Sequence, residues 1–159
     1  MFTGTLEKIA SVLKKATGAA VMVGVDPTDP LPIADAPFII LSPGTSGISF
    51  ADIDEADEIS VDIDFGITDE TTVETEDGVR IKTGLRNLDL MAEKIKDALK
   101  DAVPDYYLEQ GTYYSDLSQY PAFLGGMTII YKNDGVINGK GGLLWQNSAK
   151  QKSRGAVKR

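Results

Sequence analysis

Phe2, Leu6, Ile9, Ala10, Leu13 and Ala16 recur at steps of three and four, which is the apolar stripe of an amphipathic helix. Thr17-Gly18 marks its end, with Lys14 and Lys15 in the last turn, where cations suit the helix dipole. Residues 19–25 read as a strand, Asp26 to Pro30 as a turn, and Pro37 to Leu41 as a short, well-covered apolar strand. Residues 42–57 read as a Gly-, Ser- and Asp-rich loop. The cleanest alternation follows: Ile59, Val61, Ile63 and Phe65 between Ser60, Asp62, Asp64 and Gly66, a strand with one apolar and one acidic side. Residues 67–86 are polar, with Asp77-Gly78 as a hairpin tip and Val73 and Val79 to Ile81 as its flanks. A second helix is written in Leu88, Met91, Ala92, Ile95, Ala98, Leu99 and Ala102, with Asn87 read as its N-cap and Pro104 as its stop. Tyr106 to Glu109 and Tyr113-Tyr114 read as separate strand or loop pieces, and Gly126 to Tyr131 as a central strand. Val136-Ile137 and Leu143 to Trp145 read as an edge hairpin.

This order predicts an α+β fold, a mostly antiparallel β-sheet with two α-helices packed on one face plus a long hairpin-like arm. One domain is expected over residues 1–146, with 67–86 as the extended arm, and a basic, flexible tail over 147–159. An excursion as long as 67–86 is a natural place for contact with a neighbour.

Composition narrows the chemistry. The chain of 159 residues has no cysteine and no histidine. Disulfide scaffolds, thiol nucleophiles, Cys/His zinc sites and histidine-based triads are therefore excluded. The net charge is −8. Residues 147–159 hold five bases and no acid, which leaves 11 bases against 24 acids in residues 1–146. So acidic a body should not adhere to nucleic acid. The N-terminus does not read as a signal peptide and no apolar run reaches membrane-spanning length, so a soluble protein is expected.

The candidate motifs are weak as enzyme signatures. Gly135 to Gly141 fails the phosphate-loop count, and Lys140 is followed by Gly141. Asp52, Asp54, Glu55, Asp57 and Glu58 lack the calcium-loop spacing. Asp62 and Asp64 share one side of a strand, where paired carboxylates can do acid–base work or discourage wrong pairing. Ser46 in Gly44-Thr45-Ser46-Gly47 has no histidine to activate it. Tyr106, Tyr107, Tyr113, Tyr114, Tyr120 and Phe123 form an aromatic stretch with no base between Asp101 and Tyr131. That argues against single-stranded nucleic acid and leaves core packing and a protein interface both open. The residues favour an assembly component with no catalytic, cofactor or metal site; a ligand-binding module and a carboxylate metalloenzyme are the alternatives of other classes.

Four segments resemble the tail terminator (tail completion) proteins of long-tailed bacteriophages, in the version of Mu-like contractile-tailed phages. They are the opening helix Phe2 to Ala16, the alternating strand and turn Ile59 to Glu70, the helix Asn87 to Leu99, and Tyr120-Pro121-Ala122-Phe123-Leu124-Gly125-Gly126-Met127-Thr128-Ile129-Ile130-Tyr131. The insert at 67–86 and residues 133–159 depart from the family pattern. The resemblance implies a non-enzymatic virion protein, made in the host cytoplasm, that caps the tail tube as a homo-hexameric ring. Such a ring stops tube growth and joins the head through a connector or neck protein, and DNA passes its lumen without specific binding. Another connector, neck or baseplate component is the neighbouring alternative. Within that reading Arg80, Lys82, Tyr113, Tyr114, Tyr120 and Phe123 are candidates for the ring or tube interface. Asp62 and Asp64 are candidates for the lumen wall.

Overall fold

The computed structural model describes residues 2–24, 31–44, 58–114 and 119–132. The turn expected over 26–30, the acidic loop at 52–57, the edge hairpin at 136–145 and the basic tail lie outside the described residues, as does the glycine-rich turn at 135–141.

Helix α1 (Phe2–Thr17) buries Leu6, Ile9 and Leu13, while Ala16 is exposed and Val12 packs against the core instead. It ends where Gly18, at φ +73°, donates its N–H to the Lys14 carbonyl at 2.8 Å, a left-handed stop that glycine adopts without strain. Strand β1 (Ala20–Val23) runs parallel to β2 (Phe38–Pro43), and a short 3₁₀ turn, Ile33–Asp35, lies in the connection. Strand β3 (Glu58–Thr68) pairs antiparallel with β2 and with β7 (Ala122–Lys132), and β6 (Tyr107–Tyr114) pairs antiparallel with β7. The sheet order is β1-β2-β3-β7-β6. Helix α2 (Gly84–Ala102) buries all seven residues of its expected stripe.

The fold is α+β. Both helices share a core with Ile39, Leu41, Ile59, Val61, Ile63, Phe65, Met127, Ile129 and Tyr131, which alternate to one side of the sheet. Phe38 and Ile40 are also buried but stand outside that cluster, on the side away from the helices. This explains the unbroken apolar run of β2: it is covered on both sides.

Three boundaries differ from expectation. Helix α2 begins at Gly84, so Asn87 sits in its first turn and is not the N-cap; Thr83 holds that place and makes no side-chain cap bond. The excursion is shorter than 67–86, because β3 extends to Thr68 through pairing of Ile67 with Phe123 and Thr68 with Ala122. The two tyrosine pieces form a single strand, β6, with ladder irregularities between Leu108 and Gln110 and between Gln110 and Tyr113. Among the described residues no helix is long and apolar enough to cross a membrane.

Candidate interaction surfaces

Between β3 and α2 the chain forms a hairpin arm, β4 (Thr72–Glu74) against β5 (Arg80–Lys82). Thr72, Val73 and Ile81 give its strands β-branched residues, and the tip closes as Thr75 N–H donates to the Val79 carbonyl and Gly78 N–H to the Thr75 carbonyl, both at 2.9 Å. Gly78 takes φ +82°. Every residue from Thr71 to Lys82 is exposed. In the ladder Val73 faces Ile81, while Glu74 faces Arg80 and Thr72 faces Lys82. Alternation therefore puts an apolar pair on one side of the arm and both bases on the other.

The arm's root is fastened by a carboxylate. Asp69 accepts from the Thr71 N–H at 2.7 Å, the Thr83 hydroxyl at 2.8 Å and the Asn87 side-chain amide at 2.7 Å. These donors, led by the Thr71 backbone N–H, hold the Asp69 carboxyl below the usual aspartate value. Thr83 N–H donates to the Thr71 carbonyl at 3.1 Å, and Asp69 N–H to the Pro121 carbonyl at 3.0 Å. None of Asp69, Thr83 and Asn87 stood out as a site residue in the sequence. A Thr/Asp-rich stretch entering a helix was the available signal.

Lys82 and Tyr120 meet: the ammonium lies 4.6 Å from the ring centroid. Tyr120 in turn packs edge-to-face on Phe123, centroids 6.0 Å apart. Phe123 is only 2 % exposed, which corrects its reading as a contact residue. Its ring packs against Gly84, where a Cβ would overlap it, so Phe123 supports the surface from beneath. Arg80 stands apart from this cluster, opposite Glu74.

Tyr113 and Tyr114 face opposite ways, as neighbours on a strand must. Tyr114 turns to the helix side and donates its hydroxyl to Asp89 of α2 at 2.7 Å; burial, and then this bond, push its pKa to about 12. Tyr113 lies over Gly126 on the other side, where a Cβ would come within 2.7 Å of its hydroxyl oxygen. Gly125 and Gly126 thus admit one tyrosine on each side of β7. Adjacent glycines inside a strand are the sequence signal of such a close approach.

Asp62 and Asp64 occupy the same helix-distal side as Tyr113. Asp62 accepts from the Thr128 hydroxyl at 2.7 Å. Asp64 is half-buried, and burial, reinforced by the Asp62 charge, raises its pKa. Along the same side, Tyr107 donates to Glu58 at 3.4 Å and Ser60 to Glu109 at 3.5 Å. At the Asp64 end a cavity of about 140 Å³ is lined by Leu31, Phe38, Phe65, Tyr113, Leu124 and Gly125. Among the described residues no three His, Cys, Asp or Glu side chains converge to hold a metal ion.

The eight candidate residues therefore fall into three places. Lys82, Tyr120 and Phe123 gather at the arm root, with Arg80 further along the arm. Asp62, Asp64 and Tyr113 gather on the far side of the sheet, and Tyr114 is tied to α2. The chain matches no protein-family model and no curated protein sequence.

Proposed function

We propose that this protein is a structural component of a bacteriophage tail, a terminator that closes into a six-membered ring on the end of the tail tube, stops its growth and offers the head-joining surface. The observation that carries the reading is the arm: a two-stranded hairpin exposed from Thr71 to Lys82, whose Val73–Ile81 pair stands outside the core cluster. Two strands alone are marginal in water. Free strand edges and an exposed apolar pair invite a partner. A contact of the arm with a different patch of the neighbouring subunit is heterologous, and heterologous contacts that return on themselves make rings. The acidic body suits the same role, because it repels the phosphates of DNA passing through a lumen.

The test is genetic and visual. Without this protein, tails should grow beyond their set length and remain unjoined to heads, and the intact gene should restore both. Tails of ordinary length with heads unjoined would move the protein to a connector or neck position. Ordinary tails joined to heads would refute the proposal.

A further inference from the structure

Among the described residues the helix-distal side of the sheet carries a row of carboxylates and a single base, Lys132. Glu58, Asp62 and Asp64 lie four and two residues apart on β3, with Glu109 brought beside Ser60 in the wider gap. Residues two apart on a strand lie roughly 6.6 Å apart and point the same way. None of these four acids forms an ion pair with a described base. Among the described strands of the sheet only Lys132, opposite Glu58 in the ladder, brings a base to this side. Beyond Asp64 the row ends at the apolar cavity of Leu31, Phe38, Tyr113 and Leu124.

The rest of the sequence contains a counterpart. Lys150, Lys152 and Arg154 also recur at every second position, in a stretch of five bases and no acid. Five residues before Lys150 stands Trp145, the single tryptophan of the chain. We propose that this segment of the same chain docks along the acidic side of the sheet, with Trp145 at the apolar cavity and Lys150, Lys152 and Arg154 beside the carboxylates of Asp64, Asp62, Glu109 and Glu58.

Reach permits it. β7 ends at Lys132, level with Glu58 and in the interior of the sheet order. Twelve residues separate Lys132 from Trp145, up to about 40 Å of chain at ~3.3 Å per residue. The distance from Glu58 to Asp64 along the strand is about 20 Å. The segment can thus cross to the cavity and return along the row, bringing its bases beside the acids. The inference does not rest on the tail-terminator reading, since it concerns one chain and its own surface.

The full-length protein tests it. A carbodiimide joins a lysine amine to a carboxylate only where the two touch, and peptide mapping then names the pair. At low salt, Lys150 and Lys152 should link to Glu58, Asp62, Asp64 or Glu109 within the monomer band. The yield should fall several-fold in about 0.5 M salt, where screening is strong, and in an Asp62→Asn, Asp64→Asn variant shown to be folded by circular dichroism. A second variant leaves the sheet untouched: Lys150→Ala, Lys152→Ala, Arg154→Ala should shift Trp145 emission to the red, as high salt does in the unaltered chain. Links spread evenly to helix acids such as Asp97 and Asp101, links found only between two copies, or Trp145 emission indifferent to both salt and the triple substitution would each overturn the proposal.

Discussion

The side-chain amide of Asn87 donates to the Asp69 carboxylate at 2.7 Å, tying the first turn of α2 to the root of the arm. The same carboxylate holds Thr71 and Thr83, so one side chain joins both strands' roots to the helix. Its negative charge also lies beside the positive end of α2, where an anion is favoured.

Replacing Asp69 with Ala should therefore loosen the arm more than the core. The Thr71 amide, which donates to Asp69, should exchange with solvent much faster, while amides of β3 and β7 keep their protection. The pH dependence has a definite sign. The Asp69 carboxyl is held below 3.8 in the folded chain, so its contribution is present above that value and is lost as pH falls through the lowered one. Wild type and variant should converge in strong acid and differ at neutral pH. Equal exchange at Thr71 in both proteins at pH 7 would contradict the clamp.

A second prediction concerns Gly84. Its missing side chain leaves the space that the Phe123 ring fills. Gly84→Ala, at the first helical position, gains less than the helix propensity of about 1 kcal/mol that an interior site would give but forces overlap with a ring that is 2 % exposed. Overpacking of this kind costs about 1–3 kcal/mol, so thermal denaturation should show a net loss. A variant as stable as the parent, or more so, would show that Phe123 can move aside freely.

Much of the core was legible because burial on one side imposes a period. The stripes of α1 and α2 and the alternation of β3 each answer to a single apolar layer, and the residues facing it are the ones the pattern picks out. What was not legible depends on partners distant in sequence. Nothing in residues 19–25 encodes a parallel neighbour, so the pairing of β1 with β2 had no local sign. The ladder shifts in β6 break its alternation, which is why Tyr106 to Glu109 and Tyr113-Tyr114 read as two pieces. Asn87 looked like an N-cap because it precedes an apolar stripe, but the helix starts a turn earlier, at a glycine chosen by Phe123. Of the candidate site residues, Lys82 and Tyr120 emerge in contact. Phe123 proves to be core, and the adjacent tyrosines cannot share a surface.

A third prediction follows from Asp64. Burial and the neighbouring Asp62 charge raise its pKa, so the folded chain binds this proton more tightly than the unfolded one. For an acid shifted upward, the penalty is absent below 3.8 and grows as pH rises through the raised value. In about 0.5 M salt, which screens the bases of the C-terminal segment, Asp64→Asn should raise the melting temperature at neutral pH, with the gain vanishing in acid. A lower melting temperature at pH 7 would mean that the charged carboxylate is held by a stabilising partner.

The arm supplies the fourth. Arg80→Glu with Lys82→Glu changes two exposed residues and removes the Lys82–Tyr120 contact, worth about 0.5–1 kcal/mol at an exposed site. The monomer should lose no more stability than that, as judged by thermal denaturation. Joining of tails to heads should fail in a complementation assay. Normal joining with both reversals in place would remove the arm from the interface.

A ring that caps a tube is visible by electron microscopy. The purified protein should be imaged alone and after mixing with tubes grown from the tail-tube protein of the same virus, with light scattering to give its mass. The account predicts six-membered rings with a central hole, seated at one end of tubes that then stop lengthening. Monomers that leave the tube ends bare while growth continues would contradict it.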